Sequence, residues 1–365
     1  MYIGPGAGFA FLGSFLSLVS VVVAGILSVV LWPFRMAWLL FMRPRRARVR
    51  KAIFLGFEGF DPVVAEALMA EGKLPNLARL RDEGSYRRLR TTNPALPAVA
   101  WATFATGVNP GMHRVFGAAS QRKSESFWKI LGRHAVKSTI LLVPGTDAAE
   151  RFYGRLLADP PASFYARYLT KLLGPAAKRE EFLFSALDHT RRGVVACVFD
   201  GENYRDLDRI VGETLRHVDA ATALFVISDS SRREFRRSVD LNAWLLREGF
   251  LSRGCSAAPT GIYIDRKIVT VEEARSLKKE LVAKLAGQVG IEHVYQATDI
   301  YRGPYVSEAP DLVIGYAPLV PGMLFSNLTI TADDPGMEDI APTVLSLFGV
   351  EAPAWMEGRS VIASA

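Results

Sequence analysis

The residues best suited to chemistry are carboxylates that follow apolar strands. Glu58 ends the run Ala52-Ile-Phe-Leu-Gly-Phe57, and the chain then breaks at Gly59-Phe-Asp61. Downstream, Asn93-Pro-Ala-Leu-Pro97 feeds the apolar stretch 98–107. An acid at a strand's carboxyl end, followed by a Pro-rich loop opening a helix, is how open α/β sheets build ligand sites. Asp200 follows the run Val194–Phe199, and Asp229 closes Val226-Ile-Ser-Asp229. Glu58 with Asp229 could hold one Mg²⁺ or Ca²⁺ together with waters. Nucleophilic work would need a hydroxyl with a base beside it. Thr92 and Thr103 are the nearest hydroxyls; with no recognisable base close in sequence, they read as strand-end and helix-packing residues. Five histidines occur, His113, His134, His189, His217 and His293. None sits at ligand spacing, and each fits a surface or satisfied core position better.

Short β-rich runs alternate with helical patterns across positions 52–365, the signature of an α/β fold with a mainly parallel sheet sandwiched by helices. Strands are expected at 52–57, 86–92 (an edge, given its arginines), 137–143, 194–199, 223–227, 261–265 and 311–314. Helices are expected at 62–70, 74–83, 98–106 after Pro97, 126–133, 204–218, 241–248 and 270–285. A closing helix at 337–347 would be capped by Asp333 or Asp334. Positions 148–190, punctuated by Pro160, Pro161 and Pro175, read as an insertion capping the sheet. The whole is expected to be one domain. Cys197 and Cys255 give no disulfide framework and no metal spacing.

The charge is unevenly placed. No Asp or Glu precedes Glu58, while Arg35, Arg43, Arg45, Arg46, Arg48, Arg50 and Lys51 supply seven positive charges. The net charge is +7, so the remainder is neutral, which argues against a nucleic-acid-binding globule. Positions 9–31 carry no charge and reach about 34 Å as a helix, enough to cross a bilayer core of about 30 Å. All the positive charge follows this core, which favours an uncleaved anchor over a signal peptide. Positions 1–51 are therefore expected to form a membrane anchor: a transmembrane helix at about 9–31, an interfacial segment at 32–42 and a basic linker at 43–51. Trp32-Pro-Phe-Arg35 reads as the interface, with a helix-breaking proline and an Arg that can snorkel. Positions 36–42, too short to span again, would lie along the membrane surface or extend the first helix at an angle. Arg43, Arg45 and Arg46 open the basic flank. By the positive-inside rule the N-terminus is expected outside and the large domain in the cytoplasm, at the inner membrane of a bacterium.

Several stretches together resemble the bacterial type I phosphodiesterase/nucleotide pyrophosphatase-like branch of the alkaline phosphatase superfamily. They are Phe54-Leu-Gly-Phe-Glu58-Gly-Phe-Asp61, Glu71-Gly-Lys-Leu-Pro-Asn-Leu-Ala-Arg-Leu80, Ala100-Trp-Ala-Thr-Phe-Ala-Thr-Gly107 and Asn109-Pro-Gly-Met-His113. Val226–Asp229, Leu241–Gly249 and Asp339-Ile-Ala-Pro-Thr343 continue the order. The resemblance implies two metal ions, usually zinc, and a Thr or Ser nucleophile in an in-line displacement. Glu58 stands where the family has a ligand Asp, and its extra methylene moves the oxygens by about 1.5 Å. Pro97 occupies the nucleophile's place and has no hydroxyl. Asp229-Ser230-Ser231 replaces Asp-His-Gly. Asp200 matches the Asp of a middle Asp-x-x-x-His, but position 204 is Tyr. The last ligand has no counterpart, since no His follows His293. His113 matches a position with a supporting role in the fold.

The expectation is a membrane-anchored, phosphodiesterase-like pseudoenzyme, a binding or scaffolding subunit with no catalytic residue. Glu58, Asp229 and Asp200 are then at most a vestigial metal site, with no cofactor or one divalent cation. Its partners would be the lipid bilayer, through the N-terminal helix, and membrane proteins packed near the Gly-rich start 1–8. The alternative is an active hydrolase with a rearranged site and two zinc ions.

Overall fold

The computed structural model describes residues 5–41, 46–117, 120–147, 149–159, 176–229, 240–288, 290–316 and 321–363. The chain divides into two units, Met1–Arg43 and Pro44–Ala365. The described residues of the first form one helix, α1 (Pro5–Phe41), with Pro33 inside it. Pro33 thus does not break the helix, and of the two courses open to the segment after it the chain continues the first helix to Phe41. A proline removes one hydrogen bond, and Phe34–Phe41 beyond it contains no glycine or second proline to stop propagation. The 20 residues Phe15–Phe34 are apolar enough to cross a membrane, and their side chains are exposed, Trp32 among them. The Arg35 side chain and all of Arg43 and Arg45 lie outside the described residues, while Arg46 is described and exposed.

The second unit is built on a seven-stranded sheet. Its strands are β1 (Lys51–Glu58), β2 (Ser85–Leu89), β3 (Ser138–Pro144), β4 (Gly154–Asp159), β5 (Gly193–Asp200), β6 (Thr222–Ser228) and β11 (Gly322–Ser326). They run in the order β2-β11-β6-β1-β5-β3-β4, with β1 at the centre. The β1–β5, β1–β6, β3–β5 and β3–β4 pairs are parallel, and only the β2/β11 side is antiparallel. Alternate residues of β1 feed two cores, as period-2 strand geometry demands. Ala52 and Phe54 join one core with the helices at Pro97–Thr106, Phe127–Arg133 and Ile340–Leu347. Ile53, Leu55 and Phe57 join the other, with the helices at Pro62–Ala70, Pro75–Glu83, Ala176–His189 and Tyr204–Leu215. The fold is therefore the mainly parallel sheet with helices on both faces that the sequence implies.

Three features differ from the sequence reading. Within 148–190, the described residues of the expected cap belong to the sheet's own layers: Gly154–Asp159 is its edge strand, and Ala176–His189 packs on β3 and β5. Pro160, Pro161 and Pro175 lie outside the described residues. A second sheet also exists, β7 (Cys255–Ala258), β8 (Gly261–Ile264), β10 (Leu312–Tyr316) and β9 (Ile291–Gln296), antiparallel in the order β7-β8-β10-β9. Two of its strands were expected as members of the main sheet. β7 and β9 are short and half-exposed, so their apolar pattern is weak. The closing helix begins as a tight turn, Met337–Asp339, before Ile340–Leu347. Neither Asp333 nor Asp334 caps it: the turn starts at Gly336, whose N–H donates to Asp339 at 2.8 Å, Asp339 precedes Ile340 with no side-chain capping bond to the helix, and Asp334 pairs with Arg90 at 2.6 Å.

One contact locks the helix Pro97–Thr106, here α4, onto β1. A methyl group at Gly56 would lie 2.3 Å from the Trp101 ring and 2.8 Å from Val198. Trp101 is fully buried there, edge-on to Phe104 at 5.2 Å. Gly56→Ala is therefore expected to lower stability by about 1–3 kcal/mol through overpacking, read from the denaturant midpoint of unfolding. An unchanged midpoint would contradict this packing.

Candidate functional site

The carboxyl ends of β5, β1 and β6 lie flush. Glu58 is paired with Asp200, and Phe57 with Ser228, so Asp229 follows at the level of Glu58. The three acids read from the sequence thus stand on adjacent strands at one edge. Their surroundings are tightly built. Gly59 takes a left-handed φ of 74°, and its N–H donates to Asp229 Oδ1 at 3.1 Å. Asp229 is fully buried. The Gly201 N–H donates to the Glu58 carbonyl at 2.9 Å, in a turn where a Cβ would come within 2.4 Å of that oxygen. The Ser228 hydroxyl donates to the Phe60 carbonyl at 2.9 Å. Ser230 and Ser231 lie outside the described residues.

Two residues given no role by the sequence reading complete this edge. Asp61 caps the helix Pro62–Ala70, accepting from Val63 N at 2.7 Å and Val64 N at 3.3 Å. The signal was legible: an Asp before a proline is a favoured N-cap followed by a favoured first helical residue. Tyr204 receives the Asp61 N–H on its hydroxyl oxygen at 3.0 Å, and its ring stacks on Phe60 at 4.3 Å. Burial raises its phenol pKa. Nothing local in the sequence announces that contact, which joins positions 143 residues apart.

Across the loop, Pro97 is the first residue of α4, a place suited to a residue without an N–H. The Thr92 hydroxyl donates to the Pro94 carbonyl at 3.0 Å, and the Tyr301 hydroxyl donates to the Asn93 carbonyl at 2.5 Å. Thr103 lies within α4 against His113 Nε2 at 3.0 Å. Because the Val115 N–H donates to His113 Nδ1 at 3.0 Å, that nitrogen is the acceptor, and Nε2 carries the proton given to Thr103. Burial, with Arg122 adding to it, pushes the His113 pKa down to about 3. This imidazole is neutral and structural.

The other histidines are also engaged away from the acids. His134 ends the helix Phe127–Arg133, and His189 Nδ1 lies 2.7 Å from the Ser185 carbonyl. His217 faces Asp188 at 3.8 Å, and His293 sits on β9 of the second sheet.

Residues 52–200 match the type I phosphodiesterase / nucleotide pyrophosphatase family. The match spans Glu58, Pro97 and Asp200; Asp229 lies beyond it. In fold, the chain is similar to phosphonoacetate hydrolase from Sinorhizobium meliloti 1021, with 13% identity and a TM-score of 0.64 over 84% of this chain and 97% of that one. It is also similar to murine ectonucleotide pyrophosphatase / phosphodiesterase 5, at 15% identity and a TM-score of 0.55 over 83% and 96%. Wild-type alkaline phosphatase PafA aligns at 12% identity with a TM-score of 0.58 over 87% and 98%. These likenesses establish the alkaline phosphatase-like fold. No curated protein matches the chain in sequence.

Members of the matched phosphodiesterase family are metal-dependent, so the donor set can be tested against a two-zinc clamp. It does not fit. Among the described residues no group of three or more His, Cys, Asp or Glu is arranged to hold a metal ion. Asp229 spends one oxygen on a backbone N–H, and Tyr204 stands in packing where the resemblance asks for an imidazole.

Two outcomes follow from this geometry. Tyr204→Phe keeps the stacked ring but strips the acceptor from the Asp61 N–H, and should cost about 1–2 kcal/mol in urea unfolding. For His113, the folded group binds its proton only near pH 3, against 6.5 for an unperturbed imidazole. Between those values the unfolded chain holds a proton that the folded chain refuses, so stability falls as pH drops from 6.5 toward 3. His113→Asn should melt lower at neutral pH and lose less on acidification; an identical slope in both proteins would count against the buried neutral imidazole.

Proposed function

We propose that this chain is a membrane-anchored, phosphodiesterase-like pseudoenzyme that serves as a binding or scaffolding subunit alongside membrane proteins. The observation that carries it is the row Glu58, Asp200 and Asp229 at the sheet edge, unaccompanied by imidazoles: all five histidines are placed in other contacts or elements. In-line displacement on two metals needs several convergent donors and an activated hydroxyl. Pro97 supplies no hydroxyl; inside α4, Thr103 bonds to a structural histidine and Thr106 donates to the Ala102 carbonyl. One of the acids, Asp229, instead accepts the Gly59 N–H.

In this reading α1 is a single span, with the N-terminus outside and the large unit in the cytoplasm of a bacterium. The absence of acidic residues before Glu58 and the basic run ending at Lys51 support that orientation. The register of the three acids is the one observation favouring the second reading, a hydrolase with a rearranged site. It would need a further ligand drawn in on metal binding.

Metal content and turnover separate the two. The purified full-length chain, incubated with Zn²⁺, Mg²⁺ or Ca²⁺, is expected to retain no stoichiometric zinc by elemental analysis. It should hydrolyse neither bis(p-nitrophenyl) phosphate nor p-nitrophenyl phosphate above the uncatalysed rate. Two zinc ions per chain together with turnover would falsify the pseudoenzyme reading.

A further inference from the structure

The end of the main sheet opposite the acids, where β1 begins, carries a basic cluster. β1 starts with Lys51, which is in register with Gly193 of β5 and Thr222 of β6. The loops at 190–192 and 219–221 therefore flank Arg50 and Lys51. The Gly193 N–H donates to the Arg50 carbonyl at 2.9 Å, and the Arg50 N–H donates to the Ala221 carbonyl at 2.7 Å, so these loops are held together by backbone. They enclose an open cleft of about 340 Å³ lined by Arg50, Lys51, Asp188, Arg191, His217 and Asp219. Arg50 and Arg191 of this lining are exposed, and so is the neighbouring Arg192. Two carboxylates face them: Asp219 pairs with Arg50 at 2.7 Å, and Asp188 lies 3.8 Å from His217. The cations outnumber these acids.

Connectivity restricts what this edge can meet. Residues 42–50 separate α1 from β1 and span at most about 30 Å when extended. Five of them, Arg43, Arg45, Arg46, Arg48 and Arg50, are arginines. Arg191 and Arg192 lie some 140 residues downstream, so their arrival beside Lys51 is a product of the fold rather than of the linker.

We infer that the amino edge of the main sheet docks on the anionic surface of the bilayer that holds α1, with lipid phosphates seated at Arg50–Lys51 and Arg191–Arg192. This rests on the reading of α1 as a membrane span. Anionic headgroups attract basic segments held near the surface, and the attraction fades within a Debye length. The eight residues of β1 rise about 26 Å, so docking by this edge presents Glu58, Asp200 and Asp229 away from the lipid, toward soluble or membrane-protein partners.

The test is amide hydrogen exchange on the full-length chain in two nanodiscs, one of phosphatidylcholine alone and one of an equal mixture with phosphatidylglycerol. Peptides covering 186–193 and 217–222 should exchange severalfold more slowly in the anionic discs, while those covering 58–62 and 200–204 are unchanged. The difference should vanish in high salt and in the R191E/R192E variant, two exposed positions. The salt titration on the unaltered protein keeps the result decisive if that variant folds poorly. Equal exchange in both discs overturns the docking face alone. Slowing in phosphatidylcholine as well overturns recognition of anionic lipid. Failure to co-purify with either disc overturns the anchor reading, and this inference with it.

Discussion

Gly56 and Trp101 meet where β1 passes beneath α4, with no room between the strand backbone and the indole for even a methyl group. The rest of the second unit is arranged about that approach. It fixes how close α4 can lie to the central strand, and so where the loop carrying Thr92, Asn93 and Pro97 stands relative to Glu58, two residues beyond Gly56. It also lets Trp101, Phe104, Phe54 and Phe127 form one aromatic cluster beneath the helix, with edge and tilted contacts at 5.2–6.3 Å. Phe54 stacks on Phe225 across the β1–β6 pair at 5.0 Å, tying the same cluster to the strand that delivers Asp229. Such packing tolerates little change in volume.

That architecture delivers an edge at which several polar groups bond to the backbone around them. Asp229 serves Gly59, Asp61 serves a helix start, and Tyr204 serves the Asp61 backbone and the Phe60 ring. A similar economy holds further out. Asp208 is buried and accepts from Asn76 Nδ2 and the Leu77 N–H, both at 2.8 Å, which gives Leu74-Pro-Asn-Leu77 a packing role. The segment that matches the phosphodiesterase family, residues 52–200, thus includes stretches that close the core and turn the chain. The two ends of the sheet also differ in charge: acids at the carboxyl edge, and a cluster of arginines and Lys51 at the amino edge.

How much was legible follows from how local each signal is. The run Ala52–Phe57 is fully apolar because β1 is covered on both faces, so it declares itself as a central parallel strand. Pro97 marks the start of α4, and Asp61-Pro62 marks another helix start, through backbone chemistry confined to a few residues. β7 and β9 are half-exposed strands of four and six residues, and their antiparallel sheet leaves too little periodicity to separate it from the main one. The closing helix starts at Gly336 rather than at Asp333 or Asp334, and Asp334 is engaged instead by Arg90, far upstream.

The residue types alone determined that position 97 offers no hydroxyl, that no histidine follows His293, that every acid lies beyond residue 57, and that one stretch is apolar enough to cross a membrane. These are matters of composition and local order, which folding cannot alter. The tertiary structure decided that Glu58 pairs with Asp200, that Asp229 turns an oxygen to Gly59, that Tyr204 reaches Asp61, and that Arg191 and Arg192 gather beside Lys51. Each joins residues more than a hundred positions apart, and register between distant strands is set by the packing of both sheet faces, which no spacing along the chain records.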